Sequence, residues 1–556
     1  MKKAGPASGV LVLWVCTLLL AQNNPVPLLN LPLMPSSAAP GTSDFMLTVN
    51  GSGFVPGSMV TWNGVSLVTN FVSGSQLTAS VPASNVSAPG TASVAVVNAG
   101  PGGGTSNVGL FTIRAPFRVA SFGQLTLAVA KLTSPELLVS ADFDGDGRFD
   151  LAIANRLVVS IYMGNGDGTF RYSSRYYPLP PNALAVGDVN DDGNTDIVSV
   201  SYSGARVSVL LGNGDGTFQS PKNSPSPSSC QAFVMGDFNQ DGKLDIAASC
   251  EYQANIMLGN GDGTFQAPVG YVTGFAGGIT TGDFNRDGNL DLIVTNPQDQ
   301  VVVLLVGHGD GTFENTASYH SVVSYGSVVS ADFNGDGRLD LAMLFFDGVS
   351  VWLGNGDGTF EPAATYLTGL PGSLVAADVN GDGSLDVTIP RTGSAEVLLG
   401  LGDGHFHNPN QFMTGGGSGA GAASGDFNGD GLMDIATPNT DGNTVSVLMQ
   451  VTAVLSQTYM AFVKIPVGKR VTSNAKLANI SNQPLTISEI GVGGVDAGQF
   501  DESNNCGSSL PSGATCTITV GFAPSKFGKY RKAHVVIRDS ASGVPQQIAL
   551  FGLAIN

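Results

Sequence analysis

Charge is the first scarcity in this chain. Only 12% of its 556 residues are Asp, Glu, Lys or Arg, and only 24 of them are basic. A nucleic-acid-binding protein needs a clustered basic footprint, and none is written here, so nucleic acid is excluded as a partner. Histidine is scarcer still, with five residues. His405 and His407 form the closest pair, and two imidazoles without a third partner do not make a transition-metal centre. There is no Walker loop, no G-x-S-x-G elbow and no H-E-x-x-H motif. Long apolar runs are almost missing too. The one at Val10–Leu20 is too short for a comfortable membrane span. With Lys2 and Lys3 before it and Ala21 after it, residues 1–21 read as a secretory signal. The expected product is secreted or displayed at the cell surface, with no transmembrane segment.

Cysteine is sparse but paired. Setting aside Cys16 in the signal leaves Cys230, Cys250, Cys506 and Cys516. An even count in an exported chain suggests disulfides, and four cysteines allow three connectivities. Proximity in sequence favours the local bridges Cys230–Cys250 and Cys506–Cys516, with free buried thiols as the alternative.

What the chain has in abundance is glycine, 75 residues of it, and one nine-residue phrase written seven times. The phrase is DFDGDGRFD from Asp142, and it returns as DVNDDGNTD, DFNQDGKLD, DFNRDGNLD, DFNGDGRLD, DVNGDGSLD and DFNGDGLMD. Successive starts lie 46, 49, 46, 49, 46 and 48 residues apart. A fixed period of this size means a stacked or radial repeat. Positions 1, 5 and 9 are always Asp, position 3 is Asp once and Asn six times, and position 6 is always Gly. That is the pattern of a loop for a hard cation. Oxygens at 1, 3, 5 and 9 point inward, the backbone carbonyl serves at 7, and Gly at 6 allows the turn.

The candidate metal residues are therefore Asp142, Asp144, Asp146, Arg148 and Asp150 in the first copy, and Asp188, Asn190, Asp192, Asn194 and Asp196 in the second. The third supplies Asp237, Asn239, Asp241, Lys243 and Asp245, and the fourth Asp283, Asn285, Asp287, Asn289 and Asp291. The fifth supplies Asp332, Asn334, Asp336, Arg338 and Asp340. The sixth has Asp378, Asn380, Asp382, Ser384 and Asp386, and the seventh Asp426, Asn428, Asp430, Leu432 and Asp434. Oxygen-only donors favour Ca2+, up to seven ions, over zinc or copper. An EF-hand would need Glu at position 12 on a following helix. Position 12 of the first copy is Ile153 in an apolar run, so the loop feeds a strand instead. The loops hold 23 of the 43 acidic residues, so seven ions would reduce the net charge of −19 to about −5. With most carboxylates so placed, no pair remains for glycosidase chemistry.

Each repeat carries apolar runs before and after the aspartate loop. A third run ends in the turn GNGDGTF at Gly164, Gly212, Gly259 and Gly354, varied to GHGDGTF at Gly307 and GLGDGHF at Gly400. Four antiparallel strands per repeat make a propeller blade. The last repeat, ending in Val445–Met449, is one strand short, and the surplus stretch Phe117–Phe122 is expected to complete it and close the ring. These repeats resemble the FG-GAP/VCBS repeats of integrin α-chain β-propellers and of many exported bacterial proteins. The resemblance implies that the loop joins the first two strands of a blade and that a calcium ion at positions 1, 3, 5 and 9 is structural.

Residues 25–113 alternate apolar and polar positions between turns, as in LTVNGSGF from Leu47, VTWNG from Val60 and LTASVP from Leu77. They resemble an IPT/TIG immunoglobulin-like domain, with Trp62 expected in its core. Residues 453–556, through LANISNQPLTI from Leu477 and CTITVGFAP from Cys516, resemble an ASPM–SPD-2–Hydin or choice-of-anchor-D domain. The fold expected is all-β: a seven-bladed β-propeller at 115–450 flanked by two immunoglobulin-like β-sandwiches.

Alternation of strands puts the aspartate loops and glycine turns on one face. The variable loops Asn155–Arg156, Tyr202–Arg206, Tyr252–Gln253, Asn296–Gln300, Phe345–Asp347, Arg391 and Asn439–Asp441 lie on the other, where binding would reside. The functional expectation is a binding or adhesion module for an extracellular glycan or protein. The alternative is a propeller-based polysaccharide lyase.

Overall fold

The computed structural model describes residues 24–556 apart from 89, 101–102, 114–121, 129–133, 179, 202–204, 321–326, 346–347, 369–371, 392, 415–420, 452, 480–483, 527–529, 541–544 and 556. The secretory-signal reading at 1–21 lies outside these residues, as does most of Phe117–Phe122. The described chain is built from strands, and no helix in it is long and apolar enough to cross a membrane.

Seven four-stranded antiparallel sheets follow one another through the repeats. The first consists of Leu137–Ala141, Asp150–Ala154, Val159–Gly164 and Phe170–Tyr176, in that order from inside to outside. The second strand is buried along its whole length, because a neighbouring sheet covers each of its faces. This explains why the sequence there is a continuous apolar run and not an alternation. The innermost strand of each sheet contacts that of the next, and Ala423–Gly425 of the seventh contacts Leu137–Ala141 of the first, so the sheets form a closed ring.

The seventh blade takes its outer strand from upstream of the first. Phe122–Ala128 runs antiparallel to Thr444–Gln450, with Phe122 opposite Gln450 and Ala128 opposite Thr444. The expectation of closure holds, but the strand begins where Phe117–Phe122 was expected to end. The runs FRVASF and FGQLTLA are equally strand-like in sequence, and the ladder with Thr444–Gln450 selects the second.

Two sandwiches flank the ring. In the N-terminal one, a sheet of Leu28–Met34, Phe45–Ser52, Gln76–Val81 and Val68–Ser73 packs on a second sheet centred on Gly90–Asn98. Trp62 is buried against Phe111, ring centroids 4.9 Å apart, so it is a core residue. In the C-terminal one, four strands centred on Val471–Asn479 and Thr515–Phe522 face five that include Tyr530–Asp539 and Gln546–Ile555. Leu477, Ile518, Val535 and Leu550 are among the buried side chains between them.

Both local disulfides are present, Cys230–Cys250 and Cys506–Cys516. Cys230 sits seven residues before its loop and Cys250 five after it. A register shift between Cys230 and Ala232 absorbs that mismatch and sets the two cysteines opposite each other. Removing the Cys230–Cys250 bridge by a double Cys→Ser change should cost roughly 3 kcal/mol in the chain-entropy model. Urea unfolding checks this, and an unchanged midpoint would contradict it. Replacing residues 122–128 by a Gly/Ser segment in the full chain should lower the melting temperature by at least about 5 °C and promote aggregation through the bared edge. Scanning calorimetry and light scattering read both.

Candidate metal-loop face

Each aspartate loop joins the first and second strands of its blade, and its ninth residue opens the second strand. The loop winds because positions 4 and 6 both take left-handed backbone. Position 6 has φ from 79° to 90°, which glycine alone adopts cheaply. Position 4 is also left-handed in every copy, and in three of them it is Asp191, Gln240 or Arg286 rather than Gly. The sequence pattern did not single out position 4.

The first aspartate of each loop folds inward onto the loop's own amides. In the first copy, Asp142 accepts from Gly145 N–H at 2.7 Å and Gly147 N–H at 2.9 Å. Asp146 accepts from Arg148 N–H at 2.9 Å. The carboxylates of Asp142, Asp144 and Asp146 offer oxygens within 4.8 Å of one another, the one such acidic group among the described residues. In five of the other six loops the Asn at position 3 donates its side-chain amide to the position-5 carboxylate, as Asn190 does to Asp192 at 2.9 Å. Position 7 reaches back in three copies: Arg148 to Asp146, Lys243 to Asp241 and Arg338 to Asp336, at 3.5 to 3.7 Å. From the sequence, position 7 was expected to serve through its backbone carbonyl. These exposed pairs are worth at most about 1 kcal/mol each. Positions 1, 3 and 5 together present an all-oxygen donor set that suits a hard cation.

Position 9 does something further. Asp150 accepts from Phe143 N–H at 2.9 Å through one oxygen and from Gly164 N–H at 2.8 Å through the other. It thus ties the start of its own loop to the glycine turn of its own blade. Asp196, Asp245, Asp291, Asp340 and Asp386 repeat the brace at 2.7 to 3.0 Å, and Asp434 makes it to Phe427 and Gln450. All seven are buried. Burial pushes Asp150 up to about 7 and Asp245 up to about 8, against the pull of these amide hydrogen bonds. A nearby cation favours the charged form of such a carboxyl.

The glycine turns link blade to blade. Gly216 of the second blade donates to the carbonyl of Phe143 in the first loop at 3.0 Å. The same bond joins Gly263 to Val189, Gly311 to Phe238, Gly358 to Phe284, Gly404 to Phe333 and, across the ring closure, Gly168 to Phe427. Gly168 has a φ of 79°, left-handed backbone that favours glycine, and packs against the Met449 side chain. The loop and turn phenylalanines meet at the same junctions, as Phe143 meets Phe218 edge-on at 5.3 Å and Phe238 meets Phe313 at 5.6 Å. Only the junction of blades six and seven lacks a glycine turn. There Phe122 of the closing strand joins the apolar cluster of Val379 and meets Phe412 at 4.8 Å.

Six overlapping matches to the FG-GAP-like repeat run from residue 142 to residue 437: 142–199, 188–248, 237–294, 283–343, 332–389 and 378–437. The chain belongs to the FG-GAP-like repeat family. Residues 33–113 match the IPT/TIG domain. No curated protein matches this FG-GAP-like chain. Among solved structures it is similar to an Agrocybe aegerita lectin described for recognition of non-reducing terminal N-acetylglucosamine. That likeness has 19% identity and a TM-score of 0.42, covering 64% of this chain and 96% of the lectin. A Pseudomonas aeruginosa periplasmic gluconolactonase is similar at 15% identity and TM-score 0.40, covering 60% of this chain and 95% of that one. The ASH/PapD-like domain of human CEP192 is similar at 16% identity and TM-score 0.15, covering 19% and 87%.

In this FG-GAP-like ring, position 9 and position 5 have separable jobs. With chelator present, Asp245→Ala should cost about 3 kcal/mol, because it strands two buried amides. Asp241→Ala, part-exposed, should cost less than about 1 kcal/mol under the same conditions. Equal costs in urea unfolding would contradict the brace.

Proposed function

We propose that this chain is an exported binding module whose ring is stabilised by calcium at the aspartate loops and which contacts a glycan or protein through its opposite mouth. The oxygen-only donors at positions 1, 3 and 5, repeated in seven loops, support the calcium reading. The two disulfides support an oxidising compartment.

The observation that carries the choice of face is what covers each mouth. Residues of the N-terminal sandwich lie on the aspartate-loop side, where Ser37 bonds Asp378 and Thr91 bonds Asp426. On the other side Tyr252 stands 57% exposed, packed edge-on to Phe275 at 5.7 Å. Leu157 is 69% exposed beside Arg156, which pairs with Glu136. A rigid ring presenting an aromatic from its third blade and an aliphatic and charged groups from its first suits recognition of a sugar face or a protein loop.

Calcium at a hundredfold excess over its dissociation constant should stabilise the fold by about 2.7 kcal/mol per site and raise the melting temperature. A transition unmoved by chelator would defeat the structural-calcium reading. A glycan array run beside a lyase assay on acidic polysaccharides tests the rest. Binding without cleavage, weakened about tenfold by Tyr252→Ala at unchanged melting temperature, is the expected outcome. Cleavage would favour the lyase.

A further inference from the structure

Among the described residues, the N-terminal sandwich hydrogen-bonds four of the seven aspartate loops, and it does so at the first aspartate of each. Ser37 donates to Asp378 at 2.6 Å, with Ser36 on the same oxygen at 3.3 Å. Thr91 donates to Asp426 at 3.2 Å and Ser75 to Asp283 at 3.3 Å. Asp237 donates its backbone N–H to Ser52 at 3.2 Å, and Pro25 sits so close to Gly242 that a Cβ there would lie 2.5 Å from it. The partners are therefore the loops of blades three, four, six and seven, and in three of them the bonded atom is the first carboxylate. Asp237 and Asp378 are buried beneath the sandwich, whereas the first loop keeps Asp146 exposed. Between sandwich and ring lies a cavity of about 700 Å³. Asn30, Asn50 and Gln76 line it from above, and Phe233, Thr280 and Val375 from the inner strands.

We infer that the N-terminal sandwich is a cation-dependent lid on the ring: loading of the loops in blades three, four, six and seven promotes its docking, and docking tightens their hold on the cation. The inference rests on the calcium reading above. The physical reason is charge. Each covered loop carries aspartates at positions 1, 5 and 9, and lowering onto them a sandwich without a single Lys or Arg removes water that would screen their repulsion. Four hydroxyl donors offset part of that cost, and a divalent ion in each loop offsets far more. Linkage then requires the converse: whatever raises docking raises the affinity of the covered loops by the same factor. Among the described residues, the acidic residues of the first, second and fifth loops bond only within their own blades, so those loops should load independently of the lid.

The test is hydrogen exchange on the full chain titrated with calcium, alongside calorimetric binding. Segments 28–38, 73–81 and 90–93 should gain protection as calcium is added, in step with the covered loops. A Ser37→Ala/Ser75→Ala/Thr91→Ala variant should lose most of that gain. It should bind calcium about fivefold more weakly at a subset of sites, with exchange across Asp150–Ala154 unchanged in chelator. Calcium binding with no change in protection of the three segments overturns the lid while leaving the calcium reading intact. Absence of calcium binding overturns both. If the variant does not fold, the wild-type titration alone decides.

Discussion

Seven buried carboxylates hold this ring together. Each position-9 aspartate accepts one amide from its loop and one from the end of the third strand, so a single side chain fixes the top of its blade. An ionised acceptor makes these bonds stronger than neutral ones, and burial makes the ionised form costly. The two facts pull against each other, and a cation among positions 1, 3 and 5 is the natural arbiter. The brace and the proposed ion site thus share one loop.

From that brace the inter-blade contacts follow. Holding the loop in place fixes the carbonyl at position 2, which the next blade's glycine turn then grips. Holding the turn in place sets its phenylalanine against the loop phenylalanine of the neighbour. Blade order is therefore written into hydrogen bonds as well as into apolar packing. The one junction without a glycine turn is the one closed by Phe122–Ala128, so the chain's two ends of the propeller meet where the repeated device is missing.

Much of this was legible in the residues. The period exposed the blades, the apolar runs exposed the fully covered second strands, and cysteine spacing exposed the bridge across the third loop. Phe122–Ala128 was misplaced by a few residues, because adjacent stretches carry the same alternation and only pairing with Thr444–Gln450 distinguishes them. The double duty of Asp150 and its counterparts was invisible for a different reason: a metal ligand and a hydrogen-bond acceptor are the same letter. Asp191, Gln240 and Arg286 hid the left-handed fourth position, since the surrounding loop forces them where glycine would sit freely. Nothing in Ser37 or Thr91 announced a contact with a loop more than 300 residues away.

The central claim is that the seven loops are ion sites built into the fold, and counting ions tests it most directly. Native mass spectrometry of the folded chain in calcium, compared with magnesium and with chelator, reads the stoichiometry without reference to any ligand or activity. The account predicts several calcium ions retained per chain, up to one for each of the seven loops, and released together as the ring unfolds. A folded ring that retains none in excess calcium would contradict it.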